Sequence, residues 1–364
     1  MCLSMAQVTI FHQLSVASCV TSASKHLTYF KVENFKRFES FEMRDLGQFN
    51  LIVGDNNVGK TSVLEALLVC EPAWVFVNRL FVALSYRKIK KQFAYGDIEF
   101  YLNKTSSDNN KIQNKISFDS HFSDATKQTI FLEFENDKRY IAVRGIPNDS
   151  TGYSMHDRVS VNTFFNTPFI PFFKGHDQDL NQFYSQLQKN RSQKKNFIKC
   201  LNTIVPDLED IELSIPASFN GYNDTIEPAL IVSQKNIDST LPLAMFGDGI
   251  LKLFRLLAEI VINNGTRLVI DEIDTGIYFN RFRGFWKVIL QTAKDNDVQL
   301  FMTTHNEECI KYFKEVLEMD LPDLQKDVRS ITLVENKKTK LVTAHTYNFE
   351  QFEHALAVGN EVRA

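Results

Sequence analysis

The stretch Gly54-Asp55-Asn56-Asn57-Val58-Gly59-Lys60-Thr61 constrains this chain more than any other feature, because it is a complete G-x-x-x-x-G-K-[ST] pattern. It sits between an apolar run, Phe49 to Val53, that reads as a buried strand, and a stretch from Lys60 to Cys70 with apolar residues at helical spacing. In that context each residue type has a physical task. The glycines permit a tight loop whose backbone N–H groups face phosphate oxygens, and the helix start, with Ser62 in its first turn, adds positive potential. Lys60 is expected to reach the β- and γ-phosphates and Thr61 to ligate Mg²⁺ through its hydroxyl. A glycine turn capping an ordinary helix is the competing reading, and the strand before and helix after it favour the phosphate cradle.

Three further signals lie in the second half. Leu268-Val269-Ile270-Asp271-Glu272 is an apolar strand ending in two carboxylates, which suits Asp271 to the metal shell and Glu272 to taking a proton from attacking water. Alone, such an ending is also how an ordinary strand enters a turn. Phe301-Met302-Thr303-Thr304-His305 is a strand closing on a polar triplet, with His305 a candidate sensor of the γ-phosphate. Phe246-Gly247-Asp248-Gly249 opens a long amphipathic helix to Asn263, and glycines there let backbone amides approach an anion. More often such a run is simply a turn.

Around these signals, strands alternate with helices (Arg267 to Ile270, Arg281 to Lys294, Val298 to Thr304), which predicts a parallel sheet with crossover helices. Two strands flank Lys36-Arg37. A second helical stretch continues past Pro72 into a basic run at Arg87, Lys88, Lys90 and Lys91, and Asn103 to Lys127 is expected to be a polar surface loop. The strand pair QTIFLEFEN and KRYIAVRG, joined at Asn136-Asp137, predicts an antiparallel β-lobe. Asp177 to Leu208 reads as helical with a solvated basic face, and the tail as a hairpin around Asn336-Lys337 plus a helix ending at Gly359. Residues 1-26 are expected to be a disordered extension: Val16-Ala17-Ser18-Cys19 is superficially like a lipoprotein cleavage site, but no basic residue precedes Lys25.

With 41 Lys and Arg against 44 Asp and Glu, the net charge of -3 argues against coating DNA by bulk positive charge. Cys2, Cys19, Cys70, Cys200 and Cys309 contain no CxxC pair, so neither a disulfide framework nor a zinc site is indicated. No uncharged apolar run reaches the roughly 20 residues of a membrane span. A soluble, cytoplasmic chain is expected.

Taken in order, YFKVENFKRFESF, GDNNVGKTSVLEAL, FGDGILKLFRLL, LVIDEIDTGIY and FMTTHNEECI resemble the RecF-like and OLD-like ATPases, an ABC-related AAA-type group that includes the SMC proteins. The resemblance spans Leu27 to about Phe313 and is greatest to the stand-alone ATP-binding members. It implies an α/β P-loop NTPase with an ABC-type head: a mostly parallel sheet flanked by helices, plus an antiparallel β-lobe and a helical insertion. The expected division is 27-70 for the P-loop part, 71-240 for lobe and insertion, and 241-364 for the signature, Walker B and switch part. It also implies ATP with Mg²⁺ and a homodimer sandwiching two nucleotides, in which Gly247, Asp248 and Gly249 serve the neighbouring site. Many relatives act in DNA repair or phage defence, so DNA or a separate effector protein is the implied partner. Gly247 stands where the group's signature loop carries serine. Gln128 and Gln178 are the candidates for the group's Q-loop glutamine. No long coiled coil is present, and about fifty residues after the His305 helix are too few for the Toprim nuclease domain of OLD-type relatives. Two other readings stay open: an ATP-sensing scaffold with little turnover, favoured by Gly247, and a nuclease using Asp271, Glu272 and Asp274 as a metal cluster.

Overall fold

The computed structural model describes residues 26–70, 73–87, 93–103, 115–135, 140–145, 151–154, 158–159, 168–172, 179–202, 205, 207–214, 228–235 and 238–357. The described residues open on a hairpin, β1 (Leu27–Phe35) and β2 (Phe38–Met43), and then enter β3 (Phe49–Gly54), all six of whose residues are buried. The P-loop leads to α1 (Lys60–Ala66), which closes through tightened bonds from Leu68 N to the Glu65 carbonyl and from Val69 N to that of Ala66, four residues short of the expected Cys70. Helix α2 spans Ala73–Tyr86 and ends before the basic run, of which only Arg87 lies among the described residues.

Strands β4 (Lys115–Phe122), β5 (Lys127–Glu135), β6 (Tyr140–Arg144) and β7 (Thr151–Ser154) follow. They continue the first hairpin into one antiparallel sheet of order β2-β1-β4-β5-β6-β7. Strand β4 corrects the expectation of a loop from Asn103 to Lys127. Ile116, Phe118 and Phe122 supply the apolar alternation on one face, and the polar residues between them, Ser117, Asp119 and His121, make the composition read as loop.

A two-residue strand, β8 (Phe169–Ile170), precedes α3 (Asp179–Gln188) and α4 (Arg191–Asn202). Phe197 and Leu201 of α4 point inward, Arg191, Lys195 and Lys199 face solvent, and Lys194 pairs with Asp210 at 2.9 Å, the solvated basic face expected. Strands β9 (Leu208–Ser214) and β10 (Ala229–Gln234) form a small sheet with Leu241–Pro242. Then come α5 (Asp248–Ile262), β11 (Arg267–Ile270), α6 (Phe282–Asp295), β12 (Gln299–Thr303), α7 (Glu307–Met319), β13 (Val328–Glu335), β14 (Val342–Tyr347) and α8 (Phe349–Ala357). The expected end of that last helix, Gly359, lies outside the described residues, as do Gln178 and residues 1–25.

The central sheet has the order β8-β11-β12-β3-β13-β14, parallel throughout except for β14. Its central strands β3, β11 and β12 are covered on both faces, which is why they read as continuous apolar runs. The pleat sorts neighbouring residues to opposite cores: Leu51 and Val53 pack with α5, α6 and α7, whereas Ile52, Val269 and Phe301 pack with α1, α2 and the antiparallel sheet. No helix among the described residues is long and apolar enough to cross a membrane.

A buried carboxylate ties the two sheets together. Glu65 of α1, 0% exposed, pairs with Lys36 in the β1–β2 turn and with Arg87 Nε at 2.7 Å, and Lys36 also lies over the Tyr101 ring. Burial pushes the Lys36 ammonium down to about 8 in spite of that carboxylate. Glu65→Gln should lower the unfolding free energy by about 2 kcal/mol in urea titrations, less than the roughly 3–5 kcal/mol of a fully buried pair because Arg87 keeps part of its water. A change under about 0.5 kcal/mol, the scale of an exposed ion pair, would disprove the structural role.

Candidate functional site

Because β3, β11 and β12 run parallel and in register, their C-terminal ends meet at one edge of the sheet, where open α/β folds gather ligands. Gly54 ends β3 at φ 146°, and a Cβ there would stand 2.7 Å from the Leu333 carbonyl oxygen, so only glycine lets the loop leave the strand this tightly. Asp55, Asn56 and Asn57 form the exposed tip, Val58 anchors it in the core, and Gly59 at φ 112° caps α1. No side chain occupies that cap, which leaves the first amides of the helix to a ligand. Lys60 is folded back into the loop, with Nζ donating to the carbonyls of Gly54 at 2.7 Å and Asp55 at 2.9 Å.

Thr61 Oγ1 donates to Asp271 Oδ2 at 2.8 Å, across 210 positions of sequence. The other oxygen of Asp271 accepts from Thr303 Oγ1 at 2.7 Å. Burial raises the Asp271 carboxyl above its ordinary range and the two hydroxyls oppose that rise. Glu272 follows with its carboxylate partly in solvent, Oε1 lying 3.5 Å from His305 Nδ1 and Oε2 accepting from Thr275 Oγ1 at 3.4 Å. His305 is half exposed. Asp274 turns away to accept from Thr304 Oγ1 at 2.7 Å, and among the described residues no group of three acidic, His or Cys side chains could hold a metal ion. The three-carboxylate cluster of the nuclease reading is therefore not formed.

Lys60, Thr61, Asp271, Glu272 and His305 are thus gathered at one edge, while Ser62 sits half-buried in the first turn of α1. Gly247, Asp248 and Gly249 start α5 outside that hydrogen-bonded group; Gly247 has φ 83°, with open space where a side chain would project, and a Cβ on Gly249 would lie 3.0 Å from the Gly276 carbonyl oxygen. Gln128 lies opposite Ser120 in the antiparallel sheet and not at this edge.

Sequence reasoning missed two contributors. Arg37, noted only as part of a turn, reaches the Asn57 carbonyl of the P-loop and the Glu335 carboxylate. Lys252 donates to the Glu272 carbonyl at 2.8 Å, and burial pushes its ammonium down to about 8 against the pull of Asp274 and Glu272. A lysine inside the apolar helix pattern GILKLF was the available signal.

A mostly parallel sheet with a P-loop after its central strand, and an antiparallel sheet packed beside it, define a P-loop ATPase of the ABC-head type. Residues 49–310 match the family model described as "AAA domain, putative AbiEii toxin, Type IV TA system", and the chain belongs to that family. It is also similar to an ATP/GTP phosphatase of Helicobacter pylori (strain ATCC 700392 / 26695), 26% identical over 328 residues that cover 79% of this chain and 87% of the relative. Among solved structures it resembles an Smc head bound to the C-winged helix domain of ScpA, with a TM-score of 0.53 at 12% identity, covering 89% of this chain and 99% of that one. A second is an Smc head with an extended coiled coil bound to the C-terminal domain of ScpA derived from Pyrococcus furiosus, with a TM-score of 0.52 at 11% identity, covering 93% and 100%. At those identities the likeness establishes the ABC-type head fold.

Proposed function

We propose that this chain is an ATP-driven switch: ATP binding closes a homodimer around two nucleotides, and hydrolysis reopens it. The change of shape then acts on a nucleic acid or on a separately encoded effector. The observation that carries this reading is the Thr61–Asp271 hydrogen bond beneath a loop whose lysine already fills its cradle. Lys60, now satisfied by two loop carbonyls, would turn to the β- and γ-phosphates, and Gly54 to Ser62 would present their amides. Thr61 and Asp271 are of the oxygen-donor type that suits Mg²⁺, which when bound neutralises charge on the phosphate oxygens. Glu272 accepts the proton of the attacking water, and His305, 3.5 Å from that carboxylate, senses the γ-phosphate.

The finer placement in the RecF-like and OLD-like group, with a role in DNA repair or phage defence and a cytoplasmic setting, is part of this proposal and rests on the order of the motifs in the sequence. Gly247–Gly249 would engage the nucleotide of the second subunit through backbone amides alone, since Gly247 offers no hydroxyl. That same observation favours the second reading, an ATP-sensing scaffold that holds an effector and turns over little.

ATP turnover with and without double-stranded DNA, alongside mass by light scattering, separates these readings. Turnover that rises with DNA, together with ATP-dependent doubling of mass, supports the nucleic-acid switch; turnover indifferent to DNA directs the search to a protein effector. Tight ATP binding without turnover under any condition would replace the switch by the scaffold. His305→Ala should lower the rate about tenfold, the loss of one polar contact to the γ-phosphate in the transition state, with ATP affinity nearly intact. Complete loss of binding in a fluorescent-nucleotide titration would refute the role given to His305.

A further inference from the structure

Glu272 is held at φ 45°, in the left-handed region that a side chain other than glycine or asparagine seldom adopts. Such a conformation persists where surrounding groups enforce it. Here two side chains from different elements grip the peptide units on either side. Thr303, closing β12, accepts a hydrogen bond from the Glu272 N–H at 2.8 Å and donates one to Asp271 Oδ1 at 2.7 Å, so the hydroxyl is used as donor and acceptor together. Lys252, in the second turn of α5, donates to the Glu272 carbonyl at 2.8 Å.

Lys252 is only 4% exposed, on a helix whose neighbouring positions Ile250, Leu251, Leu253 and Phe254 are also buried, and the Asp274 and Glu272 carboxylates act on it. Lysines are almost never buried this fully unless paired, and a buried charge is a poor route to stability where an apolar side chain of similar volume would continue the helix pattern. Its value must lie in what it holds. We infer that Lys252 and Thr303 are positioning residues that lock the backbone of Glu272 and so set the direction of its carboxylate. Lys252 does so from the helix that begins with Gly247-Asp248-Gly249, so a displacement of that glycine loop reaches Glu272 through one side chain. Each subunit's carboxylate is thereby coupled to the loop presented to its partner. This inference rests on the reading of Glu272 as the proton acceptor.

The test uses Lys252→Met, which keeps volume and removes the donor, and Thr303→Val, which keeps shape and removes the hydroxyl. Each is made alone and in the Glu272→Gln background, and Thr303→Ser restores the hydroxyl. Single-turnover ATP cleavage, fluorescent-nucleotide affinity and the lifetime of the ATP-bound dimer are measured for all. Each single variant should lower the rate at least tenfold, change ATP affinity by less than threefold and prolong the closed dimer. Thr303→Ser should recover most of the rate. In the Glu272→Gln background Lys252→Met should not lower the rate further, because it acts through that residue; Thr303→Val also takes a donor from Asp271 and is read by its serine rescue.

Losses that add when Lys252→Met is combined with Glu272→Gln, or a parallel fall in affinity and rate, would overturn the positioning role. If Lys252→Met does not fold, Thr303→Val and its serine rescue decide the matter. The reading of Glu272 itself falls separately, on wild-type turnover by Glu272→Gln alone.

Discussion

Glu272→Gln should slow ATP turnover by about 10²–10⁴-fold, the usual contribution of a positioned general base, and leave nucleotide affinity near that of the native chain. The selectivity of the effect follows from how Glu272 is attached. Its two strongest polar contacts, with Thr303 and Lys252, are made by its backbone N–H and carbonyl, and the amide substitution touches neither. The neighbouring Asp271 keeps both of its hydroxyl donors, so the groups assigned to the metal are undisturbed. What disappears is the ability to take a proton. A dimer that closes on ATP and reopens by hydrolysis should then accumulate closed, and light scattering of the variant with ATP should report twice the monomer mass. Native turnover would move the base to another residue. Lost turnover without a rise in mass would separate hydrolysis from dimerisation and remove the switch.

The residues proposed to carry the chemistry stand out in the sequence because they lie in short, local patterns. The P-loop announces itself within eight positions, and Asp271, Glu272 and His305 each follow a strand whose buried run cannot be mistaken for surface. The helix from Gly249 was readable for the same reason: its apolar residues repeat at helical spacing over four turns, and the observed Asp248–Ile262 differs by one residue at each end.

Other features depend on partners remote in sequence, and no local pattern records them. Ile116 and Phe118 become a strand because β1 lies beside them, although their polar neighbours read as loop. Phe169–Ile170 is too short to show any period and is recruited by β11. Glu65 looks like a surface residue of an amphipathic helix until the Lys36 turn folds over it. Lys252 is the instructive case, since a charge in an apolar stripe was visible but had no readable target. Its target, the Glu272 carbonyl, is a backbone atom, which carries no side-chain signature in any sequence.

Lys60→Ala should abolish ATP binding for practical purposes, weakening affinity at least a hundredfold, as expected when one partner of a desolvated charge pair is removed. Two effects combine. The ammonium is the one charged group that the P-loop folds inward, and its stem is nearly buried, so solvent cannot replace it at the phosphates. Its loss also leaves the loop without the cation that offsets the inward carbonyls of Gly54 and Asp55 when an anion enters. Attraction is thus replaced by repulsion. The fold should survive, since the loop's glycines and the Val58 anchor are independent of the side chain, and unfolding transitions without nucleotide should nearly coincide with those of the native chain. Titration with fluorescent ATP measures the loss of affinity directly. Retained affinity in a folded Lys60→Ala chain would mean that the phosphates are held elsewhere, and the assignments of Thr61, Asp271 and Glu272, all built outward from this loop, would fall with it.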